Sequence, residues 1–199
     1  MNLIEAALAQ IARDLGALGH RWALVGGFAI SIRAEPRFTR DVDVAVAVAD
    51  DTAAEALVHS LMDRHYRLVA TVEQDAAGRL ATARLIPPFA RADEVVVDLL
   101  FASSGVEPEL VDAADVIDVL PDVTVPVASI GDLIALKILA RDDDRRPQDA
   151  ADLRALRGVA SSSDLSRADA TLSLIATRGF DRGRDLRAAF AAYAGSSDS

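Results

Sequence analysis

Asp41 and Asp43 alternate with valines in the run Thr39-Arg40-Asp41-Val42-Asp43-Val44. On an extended backbone, residues two apart point to the same face, and their Cα atoms stand about 6.5 Å apart. Carboxylates at that spacing lean together and share one or two divalent cations. Mg²⁺ is a hard ion that prefers carboxylate and phosphate oxygens. Two such ions about 3.5–4 Å apart hold the attacking and leaving oxygens of an in-line displacement at phosphorus. Upstream, Gly26-Gly27 offers backbone N–H groups with no Cβ in the way, and a helix start follows at once. That combination is an anion site. A phosphate cradle and a metal-binding carboxylate pair thus share one short stretch, residues 22–48.

That chemistry needs a strand–helix–strand frame. Residues 22–25, Trp-Ala-Leu-Val, are a short apolar run and predict a buried strand. The apolar period of residues 28–33 predicts a helix. Pro36 stops it, because the residue before a proline is pushed out of the α region. Thr39 and Arg40 then lead into the second strand.

The remaining elements follow from periodicity. Leu3, Ile4, Leu8, Ile11 and Leu15 predict an amphipathic helix over residues 2–18, with Gly19 at its C′ position. Asp51-Thr52 is placed to cap a helix over 53–65. Residues 66–72 and 80–86 read as a hairpin joined by 73–79. Residues 94–101 form a strongly apolar strand interrupted by Asp98. A carboxylate there needs a reason, since burying an unpaired charge is costly. Metal coordination beside Asp41 and Asp43 is one reason, and an ion pair with an arginine is the other. A short acidic helix over 106–114 and a hairpin over 116–120 and 123–127 come next.

From Ser129 the pattern becomes helical. Ser129-x-x-Asp132 is a capping-box-like start. The helix it opens, 133–140, carries Lys137 on the face predicted to lie opposite Ile134 and Ile138. Further helices run through Leu156, over 165–177 and over 184–193. The fold class expected is α/β (α+β): a mixed β-sheet packed with helices over residues 1–127, then a helical part over 128–199.

Composition bounds the function. The chain of 199 residues holds one domain or two small ones. Hydrophobic content of 51% and a mean hydropathy of +0.21 suit a globular fold. There is no cysteine, which excludes disulfides, cysteine zinc sites and thiol nucleophiles. No apolar run approaches about 18 residues, so no membrane span is expected. The first ten residues carry Glu5 and no basic segment, unlike a secretory signal, which makes the cytoplasm the expected compartment. A net charge of −10 argues against broad nucleic-acid binding, which depends on a positive field, but leaves room for a local basic patch. The 21 basic residues include a single lysine, Lys137. A compact point charge is wanted there, where arginine's planar fork would not serve.

Gly26-Gly27, Arg33, Thr39 and Asp41-x-Asp43 form the pattern GG-x5-R-x5-TRD-x-D. It resembles the first motif of nucleotidyltransferases of the DNA polymerase β superfamily, and within it the AbiEii and MenT group of toxins from bacterial toxin–antitoxin pairs. Lys137 followed by Asp149-x-x-Asp152-Leu153 resembles the second signature of that group, with both aspartates on one helix face. The resemblance implies a nucleotidyltransferase-fold sheet in which Asp41, Asp43 and Asp98 hold Mg²⁺ and act with Lys137 as the catalytic set. It implies an NTP bound by Gly26, Gly27, Thr39, Arg40, Lys137 and Asp152. It further implies nucleotide transfer to the 3′ end of tRNA, and a cognate antitoxin as partner.

Two alternatives stay open: a small-molecule nucleotidyltransferase of the antibiotic-modifying kind, which the acidic charge favours, and a catalytically silent nucleotide-binding regulatory module, which the three carboxylates disfavour. Phe38 and Phe89 are of a type that stacks on bases, yet core packing is the expectation for both. His20, His59 and His65 show no metal or nucleophile spacing, which points to surface or cap roles. The run Asp142-Asp143-Asp144 suggests no role.

Overall fold

The computed structural model describes residues 2–74, 78–142 and 147–195. Asn2 caps α1 (Leu3–Ala17) in a reciprocal box with Glu5. Then come β1 (Trp22–Val25), α2 (Gly26–Arg33), β2 (Asp41–Val46) and α3 (Asp51–Met62). The hairpin β3 (Arg67–Gln74) and β4 (Arg79–Ile86) leads to β5 (Val96–Leu100), α4 (Glu107–Asp112), β6 (Asp115–Leu120) and β7 (Val123–Val127). The chain finishes in α5 (Ile130–Ala140), α6 (Gln148–Val159), α7 (Ser162–Thr177) and α8 (Leu186–Gly195).

Two caps differ from expectation. Asp50, not Asp51, caps α3, accepting from the Ala53 amide at 2.9 Å. Asp51 is drawn away to Arg79 and to the Leu80 amide on β4. At α5, Ser129 accepts from the Asp132 amide, but Asp132 does not complete the box on the Ser129 amide. Its carboxylate takes the Ser129 hydroxyl, Thr171 and Arg167 instead.

Seven strands form one mixed sheet in the order β3-β4-β5-β2-β1-β7-β6. β2 runs antiparallel to β1 and parallel to β5. The register lines up one transverse row: Val25 opposite Asp43, Asp43 opposite Asp98, and Asp98 opposite Arg84. Residues opposite one another across a ladder share a face. The other face carries Val42, Val44, Ala83, Leu85, Val97 and Leu99, all buried in the core with Leu8, Ile11 and Leu15 of α1 and Leu57 and Leu61 of α3. β3 forms one edge of the sheet and leaves Leu68, Val69 and Val72 exposed. Register shifts at Leu68/Ala70 and Val72/Glu73 blunt that edge against further pairing.

α5 is the hub of the helical part and packs against α6, α7 and α8. It is buried nearly all round, so Lys137 is buried together with Ile134 and Ile138 rather than on an open opposite face. Arg33 crosses from α2 to the junction of β7 and α5, donating to the carbonyls of Val127 (2.8 Å) and Ala128 (3.1 Å) and pairing with Asp115. A single apolar cluster runs from Ala7 to Tyr193. Among the described residues no helix is long and apolar enough to cross a membrane.

Asp132 is 0% exposed and joins α5 to α7 through two contacts with Arg167 (2.8 and 3.1 Å) and one with Thr171 (2.8 Å). Breaking a buried pair strands its partners, so Asp132→Ala is expected to destabilise the fold by about 3 kcal/mol. Ser129→Ala, the loss of an N-cap, is expected to cost about 1 kcal/mol. Urea unfolding of both variants checks the difference.

Candidate active site

A cleft of about 850 Å³ opens over the acidic face of β2. Gly26, Gly27, Thr39, Arg40, Asp41, Asp43, Asp98 and Lys137 all line it. Residues far apart in the chain are thus gathered as expected, with the exception of Asp152, which lies buried behind Lys137.

The glycine pair is required by what lies against it. Gly26 has φ +65°, a left-handed conformation, and a Cβ there would fall on the Asp43 carboxylate. A Cβ on Gly27 would fall on the Arg37 guanidinium. α2 therefore starts at Gly26, two residues earlier than the apolar period predicts, and its first turn presses between an aspartate and an arginine. Thr39 makes a local turn, its hydroxyl donating to the Asp41 carbonyl at 3.3 Å and accepting from the Asp41 amide at 3.4 Å.

Asp98 is buried and gripped by Arg84, whose Nε and Nη2 donate to its two oxygens at 2.8 and 2.6 Å. Of the two reasons open for a carboxylate in this strand, the arginine pair is present. The fork is two-pronged and charge-assisted, the strong form of such a bond. These hydrogen bonds, with the charges of Asp98, Asp41 and Asp43 behind them, hold the Arg84 guanidinium well above its ordinary range. Among the described residues no group of three or more His, Cys, Asp or Glu is drawn together to hold a metal. Asp41 and Asp43 have the hard-oxygen chemistry that suits Mg²⁺. Asp98 stands in register beside Asp43 but is committed to Arg84.

Lys137 is 7% exposed, and its Nζ lies 2.7 Å from both Asp149 Oδ1 and Asp152 Oδ2. Arg37 Nε lies 2.7 Å from Asp152 Oδ1, and Nη2 donates to Oδ2 at 3.1 Å. Positive and negative groups alternate from Asp149 through Lys137 and Asp152 to Arg37, which ends against Gly27. The sequence reading aimed Lys137 at a triphosphate; the fold brings the Arg37 guanidinium to the glycine pair, with Lys137 braced behind it.

Arg37, Arg84, Glu107 and Arg182 also line the cleft and were not singled out as site residues from sequence. Glu107 is buried, and its Oε1 accepts from the amides and hydroxyls of Ser103 and Ser104 at 2.8–3.0 Å. Arg84 had a signal: it is the charge in an apolar strand that faces a lone Asp98. Ser103-Ser104-x-x-Glu107 is a short local pattern that hints only at a turn. The basic side chains Arg37, Arg40, Arg84, Lys137 and Arg182 balance Asp41, Asp43, Asp98, Glu107 and Asp149 around the cleft. The whole chain, by contrast, sets 21 basic against 31 acidic residues.

Phe38 is 78% exposed and Phe89 is 46% exposed, so neither packs in the core as expected. Phe38 stands on the α2–β2 connection and Phe89 follows Pro87-Pro88. The three histidines do not line the cleft. Asp143 and Asp144 lie outside the described residues.

Compared with known proteins, residues 7–195 match a family model described as nucleotidyl transferase AbiEii toxin, type IV toxin–antitoxin system. No curated protein matches the sequence. Among solved structures the chain is similar to an antigenic nucleotidyltransferase-like protein from Paracoccidioides brasiliensis, with a TM-score of 0.55 and 18% identity over 94% of this chain and 91% of that one. It is also similar to the lincosamide antibiotic adenylyltransferase LnuA, lincomycin-bound, at a TM-score of 0.52 and 15% identity over 80% of this chain and 100% of that one. The antibiotic-resistance factor ANT(2″)-Ia gives 0.50 and 17% identity over 96% and 94%. At these identities the likeness is one of fold: the mixed sheet with its helices is the nucleotidyltransferase fold.

Two expectations follow from the charge geometry. Lys137→Met leaves Asp149 and Asp152 facing each other in the interior, and urea unfolding should read a loss of about 3–5 kcal/mol. Arg84→Ala removes a cation that competes for Asp98. Mg²⁺ binding, followed by the rise in melting temperature as MgCl₂ is added, should tighten about tenfold; unchanged affinity would mean that Asp98 takes no part in holding the ion.

Proposed function

The chain belongs to the nucleotidyl transferase AbiEii toxin family, and from that premise we propose that it transfers a nucleoside monophosphate from an NTP to the 3′ end of tRNA. The observation that carries this reading is the charge-balanced cleft in which Asp41 and Asp43 project from β2 beside Gly26-Gly27, within a chain of net charge −10.

Nucleotidyltransferases generally use a divalent metal, and Asp41, Asp43 and Asp98 would hold Mg²⁺ here, Asp98 once Arg84 yields it. When bound, the ion neutralises phosphate charge and lowers the pKa of an acceptor hydroxyl. The backbone N–H groups of Gly26 and Gly27 receive phosphate oxygens, assisted by Arg37, Arg40 and the Thr39 hydroxyl. Lys137 has three N–H donors; two are taken by Asp149 and Asp152, and the third serves the triphosphate. Asp152 orders the pocket by fixing both Lys137 and Arg37. The acceptor hydroxyl gives its proton to solvent as its oxygen attacks the α-phosphorus in line, and the α–β phosphoanhydride bond breaks to release pyrophosphate. The chain contributes mostly positioning and preorganised charge.

In this reading residues 1–127 supply the metal and phosphate groups, and residues 128–199 supply the wall that carries Lys137 and Asp152. Added nucleotides on tRNA block aminoacylation and stop translation, so the protein acts in the cytoplasm as a growth inhibitor restrained by a cognate antitoxin. The net acidic charge favours a second reading, transfer to a small antibiotic-like acceptor.

Incubation with Mg²⁺, each labelled NTP in turn and total tRNA should place label on the RNA. Label on an aminoglycoside or lincosamide, with none on RNA, selects the second reading. Asp41→Ala should abolish transfer and leave the fold intact, because removing one of two neighbouring carboxylates on β2 relieves repulsion. Wild-type turnover by that variant would sink the assignment.

A further inference from the structure

Phe38 is more exposed, at 78%, than any other large apolar side chain among the described residues. One exposed apolar side chain is ordinary on a protein surface. The position of this one is informative, since it lines the same cleft as Asp41 and Asp43 and precedes Asp41 by three residues.

The ring does not stand on a loose tip. The Ser31 hydroxyl accepts from the Arg37 amide at 3.3 Å and shares its one hydrogen between the carbonyls of Gly27 (3.1 Å) and Arg37 (3.3 Å). Arg37 Nη1 donates to the Phe38 carbonyl at 3.1 Å, and Arg37 is itself anchored on Asp152. On the far side, Thr39 ties its hydroxyl to the Asp41 backbone. The chain on both sides of Phe38 is thus braced while the side chain is left out. The guanidinium carbon of Arg40 lies 5.5 Å from the ring centroid, within cation–π range. Arg40 is exposed and covers one face only.

An open aromatic face beside an exposed guanidinium suits an unpaired nucleotide: the base stacks on the ring and the adjoining phosphate meets the arginine. We propose that Phe38 and Arg40 form a stacking platform for an unpaired nucleobase at the mouth of the cleft. The base belongs either to the incoming NTP or to the 3′ end of an RNA acceptor, and the inference rests on the nucleotidyl-transfer reading above. Stacking tolerates any base, because every base has a π-face, so the platform holds a base in place without selecting its identity.

The test compares wild type, Phe38→Ala and Phe38→Tyr. Affinities are measured with Mg²⁺ for each NTP, for inorganic triphosphate, for an eight-nucleotide single-stranded RNA and for the same strand lacking its terminal 3′ base. Phe38→Ala should weaken binding of base-bearing ligands by about 5- to 150-fold, the span of base–aromatic stacking. It should leave inorganic triphosphate unchanged, and Phe38→Tyr should restore binding. A loss confined to NTPs assigns the platform to the incoming nucleotide. A loss confined to the RNA, absent for the strand without its terminal base, assigns it to the acceptor. Because the side chain is exposed, Phe38→Ala should melt at the wild-type temperature. A folded Phe38→Ala protein that binds both ligand classes as tightly as wild type overturns the platform and leaves the transfer reading standing. Wild-type protein that binds neither overturns both.

Discussion

The pairing of β2 with β1 on one side and β5 on the other governs what the cleft can do. Side chains on a strand alternate with period two, so a slip of one residue turns every one of them to the opposite face. Here a slip of β2 would carry Asp41 and Asp43 into the core and push Val42 and Val44 out to the cleft. Burying two carboxylates is costly enough to exclude that alternative. The apolar face of the sheet therefore secures the acidic one. Asp43, Asp98 and Arg84 stand in one row because three backbones are held in register, which starts the Arg84 side chain directly opposite its partner.

That dependence explains what the sequence could and could not say. Local periodicity was enough for the strand–helix–strand frame, for the shared face of Asp41 and Asp43, and for the helices of the last third. Ends moved by a few residues where side chains were recruited from elsewhere, as when Arg79 and Leu80 drew Asp51 out of the α3 cap. The partner of Asp98 was legible only as a hint, a charge in a largely apolar strand, because the β4–β5 register and not spacing selects Arg84. The face assigned to Lys137 misled for a different reason. Assigning faces to α5 assumes that one of them meets bulk water, whereas most of α5 is buried against α6, α7 and α8 and Lys137 lies among its buried residues at the cleft wall. Phe38 misled in the reverse direction, since an aromatic residue beside a motif suggests packing unless the connection that carries it is known to run along the surface.

Charge alternation ties the two ends of the chain together. Asp149 and Lys137 belong to helices of the last third, whereas Arg37 and Gly27 belong to the first quarter, and Asp152 connects them at 2.7 Å on both sides. Such a chain is tolerable in the interior because each charge has a partner of opposite sign. The shape of the glycine turn is consequently set in part by how α6 docks, although none of its backbone belongs to that turn.

The burial of Lys137 reaches beyond the cleft. It is the single lysine of the chain, every other basic residue being arginine, and its ammonium is enclosed between two aspartates. The surface consequently carries its positive charge without presenting an ε-amine. Acylation or amine-reactive crosslinking at a lysine of this sequence must therefore reach an ammonium held between Asp149 and Asp152 at the cleft wall.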